Sequence, residues 1–230
     1  MAAIARFDTV IFDCDGTLVD SHSGITSSMC MAFEAMAPRH SAFARPPTGG
    51  EVSGIIGLSL EQAISTLVPE LPREIILEAV AAYKEAFRTL GDAGRLGDGL
   101  YPGVRETLEA LRDGGVNLTV ATGKSRMGLG RTLRDHDLGD FFTILKTSDC
   151  APSKPHPGMV LQTLDETGCD PVRCLMVGDT DFDMEMARGA GVKRCAVTFG
   201  YHSRERLARA KPDYWVDAMP ELVQIVLAED

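Results

Sequence analysis

TVIFDCDGTLVDS, residues 9–21, begins as an apolar, strand-forming run and ends it on two aspartates, Asp13 and Asp15, one residue apart, with Gly16 and Thr17 directly after. One buried carboxylate is costly, and two so close together repel unless a positive charge sits between them. The pair therefore reads either as half of a cation site or as a polar turn, and the rest of the chain has to decide between them.

Working outward, β-rich runs at residues 9–13, 116–121, 144–147, 174–178 and 195–199, with a shorter one at 214–216, alternate with helical patterns. Such alternation predicts an α/β fold with a doubly wound parallel sheet. Val104, Leu108 and Leu111 share one helical face before Gly114, and Pro157 suits the first turn of a helix carrying Val160 and Leu164. One region breaks the rhythm. Between the first strand and Tyr101 there is no convincing strand but three helical stripes. They are Ile25, Met29, Phe33 and Met36; Leu60, Ile64, Leu67 and Val68, opened by the capping pattern SLEQ at 59–62; and Ile75, Ala79, Tyr83 and Phe87. The expectation is a helical domain over residues 19–98 inserted into a core domain built from 1–18 and 99–230. The glycine-rich segment 91–103 reads as a hinge on which the insert closes over a site, or as a plain surface loop.

Bulk properties narrow the function. The chain has 230 residues, 44% of them apolar, and a formal net charge of −10. An acidic chain of this kind argues against a general nucleic-acid or acidic-membrane binder, because tracking phosphates needs a basic face. No apolar run approaches the roughly 20 residues that span a bilayer. Arg6 and Asp8 break the opening residues 1–10 before a signal-peptide core forms, so the expected location is cytoplasmic. The six cysteines form no CxxC pair and read as reduced thiols that mostly fill the core. Cys14, between two carboxylates, is a spacer, since anionic neighbours raise a thiol pKa.

In an open parallel sheet, ligands bind beyond the carboxyl ends of the strands. There stand Asp13 and Asp15; Thr122, Gly123 and Lys124; Asp179 and Asp183 in VGDTDFDMEMA; and SKPHP at 153–157. Each alone is weak, an aspartate after a strand being commonly a cap or turn former. Together they assemble a site at one sheet edge. Carboxylates gathered there suit a hard cation such as Mg²⁺, which also relieves the repulsion between Asp13 and Asp15 and lets an anionic carboxylate approach a phosphate. Lys154 adds a second positive charge. The Thr122 hydroxyl and nearby backbone N–H groups, that of Gly123 among them, can hold phosphate oxygens, and Gly16 lets the backbone pass close by. An attacking aspartate splits hydrolysis into two displacements, and a carboxyl two residues on can protonate the departing alkoxide and later deprotonate water.

DCDGT, VATGK, SKPHP and GDTDFD, in this order, resemble the four motifs of the haloacid dehalogenase-type phosphohydrolases, and the resemblance covers nearly the whole chain. The helical insert matches the subgroup with a helical cap, and VTFGYHSRERL near the end resembles the phosphoglycolate phosphatase-like members. The resemblance implies Asp13 as nucleophile, Asp15 as acid/base, and Thr122 and Lys154 as phosphate holders. It implies Asp179 as a Mg²⁺ ligand beside Asp13 and the backbone carbonyl of Asp15, with Asp183 supporting the metal or orienting Lys154. The dehalogenase members of the family lack a second aspartate in the first motif, so Asp15 points to phosphoryl transfer. Asp181 matches no family ligand and reads as a helix N-cap.

The activity so implied is a Mg²⁺-dependent phosphatase for a small phosphorylated metabolite, a phosphoglycolate-like phosphomonoester. A β-phosphoglucomutase-like phosphomutase and a non-catalytic regulatory or binding module on the same fold are the alternatives. In the cap loop 52–62, Ser53 and Gly54 stand where relatives often carry basic residues, which weakens the case for a second anionic group on the substrate. Arg45 or Lys84 can compensate, although both read as solvated surface charges. His22, His156 and His202 fall near the inferred site and read as polar loop residues, with His156 able to touch the phosphate and His22 to edge the cap entrance. His40 and His136 read as surface residues. Nothing in the sequence indicates a protein partner, and a monomer or a homodimer is expected.

Overall fold

In a computed structural model, which describes residues 5–228, the chain forms the elements β1 (Thr9–Phe12), β2 (Val19–Asp20), α1 (His22–Met36), α2 (Gly49–Ser53), α3 (Leu60–Leu67), α4 (Arg73–Asp92), β3 (Gly99–Leu100), α5 (Val104–Asp113), β4 (Asn117–Ala121), α6 (Arg126–Asp135), β5 (Ile144–Lys146), α7 (Gly158–Thr167), β6 (Cys174–Gly178), α8 (Asp181–Ala190), β7 (Lys193–Val197), α9 (Arg204–Arg209), β8 (Tyr214–Val216) and α10 (Glu221–Leu227). The first four residues of the stretch read against a signal-peptide core, and the last two of the expected core domain, lie outside the described residues. Among the described residues no helix is long and apolar enough to cross a membrane.

Six strands pair in the order β5-β4-β1-β6-β7-β8, every pair parallel. The period of two decides which face each side chain covers. Val10 and Phe12, with Leu175 and Val177 of β6, join a core with Leu108 and Leu111 of α5, Leu129 of α6 and Leu222 of α10. Ile11 and Met176 point the other way, onto Met159 and Val160 of α7 and Met186 of α8. Helices on both faces are why these strands read as continuous apolar runs.

β1 is central, with β4 on one side and β6 on the other. The winding therefore reverses direction at its carboxyl end, the place where open α/β sheets form a ligand crevice. Phe12 is level with Val120 and with Val177, so Asp13, Thr122 and Asp179 all emerge within two residues of one sheet edge.

The helices between β2 and β3 have their own apolar core. Ile25, Met29, Phe33 and Met36 of α1 pack with Ile64 of α3 and with Ile76 and Ala79 of α4. Ser59 caps α3 as the sequence suggests, its hydroxyl accepting from the Gln62 N–H at 3.4 Å. Phe182 and Tyr201, from the sheet side, pack against this second core.

Several elements differ from the sequence reading. A two-stranded antiparallel ribbon, β2 with β3, brackets the insert, where no strand was expected, because two residues per strand carry no periodicity. β7 begins at Lys193, two residues before the apolar run. Arg194 is anchored there by Asp213, which accepts from both its backbone N–H and its Nε, at 3.0 and 2.9 Å. Gly91 lies within the last turn of α4 rather than in a loop. Of the cysteines, Cys14, Cys174 and Cys195 are buried, Cys30 and Cys169 half-buried and Cys150 exposed.

Candidate active site

The loop after β1 folds straight back on itself: the Gly16 N–H donates to the Val19 carbonyl at 2.8 Å and the Leu18 N–H to that of Cys14 at 2.9 Å. Gly16 has φ +88°, and a Cβ there would stand 2.3 Å from Asp179 Oδ2. Only glycine lets this turn pass so close to a carboxylate.

Asp13, Asp179 and Asp183 meet at the edge of the sheet, all buried, each offering an oxygen within 4.8 Å of the others. Lys154, fully buried, stands between two of them, its Nζ 2.7 Å from Asp13 Oδ1 and 2.6 Å from Asp183 Oδ1. Lys154 is the one partner of Asp13 Oδ1 among the described residues, and Asp13 Oδ2 has none. Three carboxylates against one ammonium leave two negative charges uncompensated when all are ionised, the deficit that a divalent cation cancels. Burial, only partly offset by Lys154, pushes the Asp13 carboxyl up to about 7. Asp179 is also raised, by burial and then by the charges of Asp13 and Asp183. Burial works to neutralise Lys154, but the two aspartates outweigh it and hold the ammonium above its usual range.

Asp179 is fixed by the Thr17 hydroxyl at 3.1 Å and the Tyr201 N–H at 2.8 Å. Gly200 makes room for it, since a Cβ there would lie 2.2 Å from the Asp179 Cβ. Asp183 is held by a capping box with Thr180: its Oδ2 accepts from the Thr180 N–H at 3.1 Å and from the Thr180 hydroxyl at 2.7 Å. The N-cap of α8 is thus Thr180 and not Asp181, because Thr180 keeps the extended backbone (φ −116°, ψ 154°) that carries Asp179 off the strand. Asp181 is the first helical residue. It pairs with Arg206 at 2.7 and 3.0 Å, and His202 Nδ1 lies 3.1 Å from its Oδ1. Burial raises its carboxyl, yet these partners win and hold it at about 2.

The Asp15 carboxylate turns away from the acidic group. Its Oδ1 accepts from the Ser21 hydroxyl and from Lys124 Nζ, the latter at 2.6 Å. Lys124 is nearly buried, and Asp15 outweighs desolvation to keep it charged. Thr122 is buried, and its hydroxyl accepts from the Lys124 N–H at 3.2 Å. Gly123 faces the insert: a Cβ there would stand 2.4 Å from the Leu58 carbonyl oxygen and 2.6 Å from that of Gly57. The Ser59 N–H donates to the Ser153 hydroxyl at 2.7 Å, next to Lys154, and Arg206 Nη1 donates to the Gly54 carbonyl at 3.4 Å.

Of the histidines, His202 lies in the loop between β7 and α9, as read, but is buried there, beside the start of α8, where it accepts from the Asp181 N–H at 3.1 Å. His22 binds Ser53 of the insert at 2.8 Å, and His156 is exposed. His40 and His136 are half-buried. Arg45 is 70% exposed and spent on Glu51, and Lys84 is exposed. Burial raises the Cys14 thiol, which suits a spacer. Ser21, Thr17 and Tyr201 were not singled out from sequence. Thr17 and Tyr201 meet their partners across 162 and 180 residues, and no local spacing encodes such contacts.

Residues 10–197 match the family model of the haloacid dehalogenase-like hydrolases. The chain is 36% identical over 219 residues to "Probable phosphatase IndB" of Dickeya dadantii, covering 93% of this chain and 91% of that one. It is 30% identical to a phosphoglycolate phosphatase of Vibrio vulnificus, covering 95% of each. A solved structure described as a predicted phosphoglycolate phosphatase from Haemophilus somnus superposes with a TM-score of 0.81 at 27% identity, over 96% of this chain and 98% of the other. With an acidic group on the edge of a parallel sheet and a helical insert beside it, the chain belongs to the haloacid dehalogenase-like hydrolase family, within its phosphoglycolate phosphatase-like group, and is an enzyme of the phosphatase class.

Proposed function

We propose that the protein is a Mg²⁺-dependent phosphatase of small phosphomonoesters that passes the phosphoryl group through Asp13. The observation that carries this reading is the buried group of Asp13, Asp179 and Asp183 around Lys154, with Asp13 Oδ2 left without a partner among the described residues. Asp13, Asp179 and the backbone carbonyl of Asp15 would hold the ion, and Asp183 would support them while orienting Lys154. When bound, the ion supplies the positive charge that lets a carboxylate and a phosphate come together.

An Asp13 oxygen forms a bond to phosphorus while the bond from phosphorus to the ester oxygen breaks, and that oxygen takes its proton from Asp15. Asp15 then removes a proton from water, whose oxygen attacks phosphorus and releases Asp13. Lys154, the Thr122 hydroxyl and the backbone N–H of Gly123 hold the phosphoryl oxygens, whereas the Gly16 N–H, expected from sequence to lie among them, is given to the Val19 carbonyl. Lys124 carries the positive charge on the leaving-group side, a place for a second anionic group that Arg45 and Lys84 do not supply. A phosphoglycolate-like metabolite suits this arrangement, as it suits the relatives so named.

Phosphate release from p-nitrophenyl phosphate with and without Mg²⁺ tests the reading. Turnover should require the ion, need no bisphosphate activator, and vanish in Asp13→Asn, because an amide cannot form the acyl phosphate. Absence of turnover with any of several divalent ions would sink the proposal.

A further inference from the structure

Tyr201 joins three parts of the molecule that the mechanism treats separately. Its backbone N–H donates to Asp179 Oδ2 at 2.8 Å. Its hydroxyl accepts from the Ser21 N–H at 2.8 Å and lies 3.4 Å from the Ser21 hydroxyl, the group that donates to Asp15 Oδ1. Its ring tilts against His22 with centroids 5.5 Å apart, and His22 in turn binds Ser53 of the insert. The single tyrosine proton has more than one acceptor in reach: Asp20 Oδ1 at 3.5 Å and the Ser21 oxygen at 3.4 Å, with the Tyr101 hydroxyl also hydrogen-bonded to Tyr201.

We infer that Tyr201 is a positioning residue for Asp15, acting through Ser21 and seated by the helical insert. Ser21 precedes α1 but makes no side-chain capping bond, so its hydroxyl is free to serve Asp15. With its proton given to the carboxylate, the Ser21 oxygen can accept only from a neighbour, and the Tyr201 hydroxyl is the one beside it. Ser21 and Lys124 both hold Oδ1 of Asp15, so in the proposed reaction Oδ2 is the oxygen left to carry the proton. The tyrosine thus fixes which way the proton carrier points. This inference rests on the role proposed above for Asp15.

The test uses the full-length enzyme with Mg²⁺ and compares two esters. p-Nitrophenolate leaves readily and needs little proton donation, whereas an alkyl phosphate such as glycerol 2-phosphate depends on it. Tyr201→Phe keeps the ring and removes one hydroxyl. It should slow the first chemical step for the alkyl ester about threefold to tenfold, the size of one lost positioning hydrogen bond. The p-nitrophenol burst rate, the KM and the half-saturating Mg²⁺ concentration should stay within about twofold of the parent. Ser21→Ala, which keeps every backbone partner, should show the same selectivity, and the Tyr201→Phe effect should shrink in the Ser21→Ala background. Asp15→Asn is the control. Should it slow both esters equally, the acid role of Asp15 is wrong; should it discriminate between them while Tyr201→Phe slows both alike or neither, the inference about Tyr201 is overturned.

Discussion

Gly16 shows how closely the residue scale is tuned. With φ +88° and Asp179 Oδ2 2.3 Å from where a Cβ would stand, Gly16→Ala has to push the carboxylate aside or unwind the turn. The left-handed backbone alone costs a side chain about 1–2 kcal/mol. We expect the concentration of Mg²⁺ that half-saturates activity to rise at least about tenfold, measured by titrating the ion, because a displaced ligand contributes little. Sequence pattern led to Asp13, Thr122 and Asp179 because each directly follows a strand, and to Asp183 because it stands in the first turn of α8; Asp15 and Lys154, in loops, were reached only through the motifs that contain them. It did not lead to Tyr201 or Thr17, which act across most of the chain, and it misplaced the cap of α8 by one residue because Thr180 and Asp181 are both good cap formers.

At the scale of elements, the N-terminus of α8 and the start of β7 each carry a testable load. Thr180→Ala removes a cap, at a cost of about 1 kcal/mol. It also frees Asp183 from the hydroxyl 2.7 Å away, so kcat should fall several-fold while urea denaturation records only the capping loss. At β7, Asp213 binds Arg194 and Lys193; burial raises its carboxyl, but these partners outweigh it and leave it below the usual range. A carboxyl with a lowered folded pKa stabilises the protein above its unfolded value, about 3.9, and loses that contribution as pH falls through the folded value. Asp213→Asn should therefore lower Tm by roughly 2–4 °C near pH 7, for about 1 kcal/mol, and the difference from the parent should shrink as pH falls below the unfolded carboxyl value. Thermal melts across pH read this directly. The parallel strands were legible because both their faces are covered and their sequences are uninterrupted apolar runs. The start of β7 was not, since Lys193 and Arg194 look like loop residues until Asp213 is brought beside them.

Across the whole molecule, the insert and the sheet meet through the segment from Gly54 to Ser59, which touches the loops bearing Gly123 and Ser153 and Arg206 of α9. The expected hinge was only partly readable: Gly91 belongs to α4, while Gly94 and Gly97 have positive φ and open space around them. Shortening residues 93–98 should raise KM or slow product release more than it alters the single-turnover rate, and an unchanged steady state would remove the hinge from consideration. The missing side chain at Gly123 has a last consequence. With backbone carbonyls of the insert able to settle directly onto that loop, the cleft has no slack for a bulky tether. If the proposed phosphatase reading holds, a phosphoryl group displayed on a protein or a nucleic-acid strand would have to part these contacts, so free phosphomonoesters should be turned over in preference to phosphoproteins, as a comparison of the two in the same assay would read.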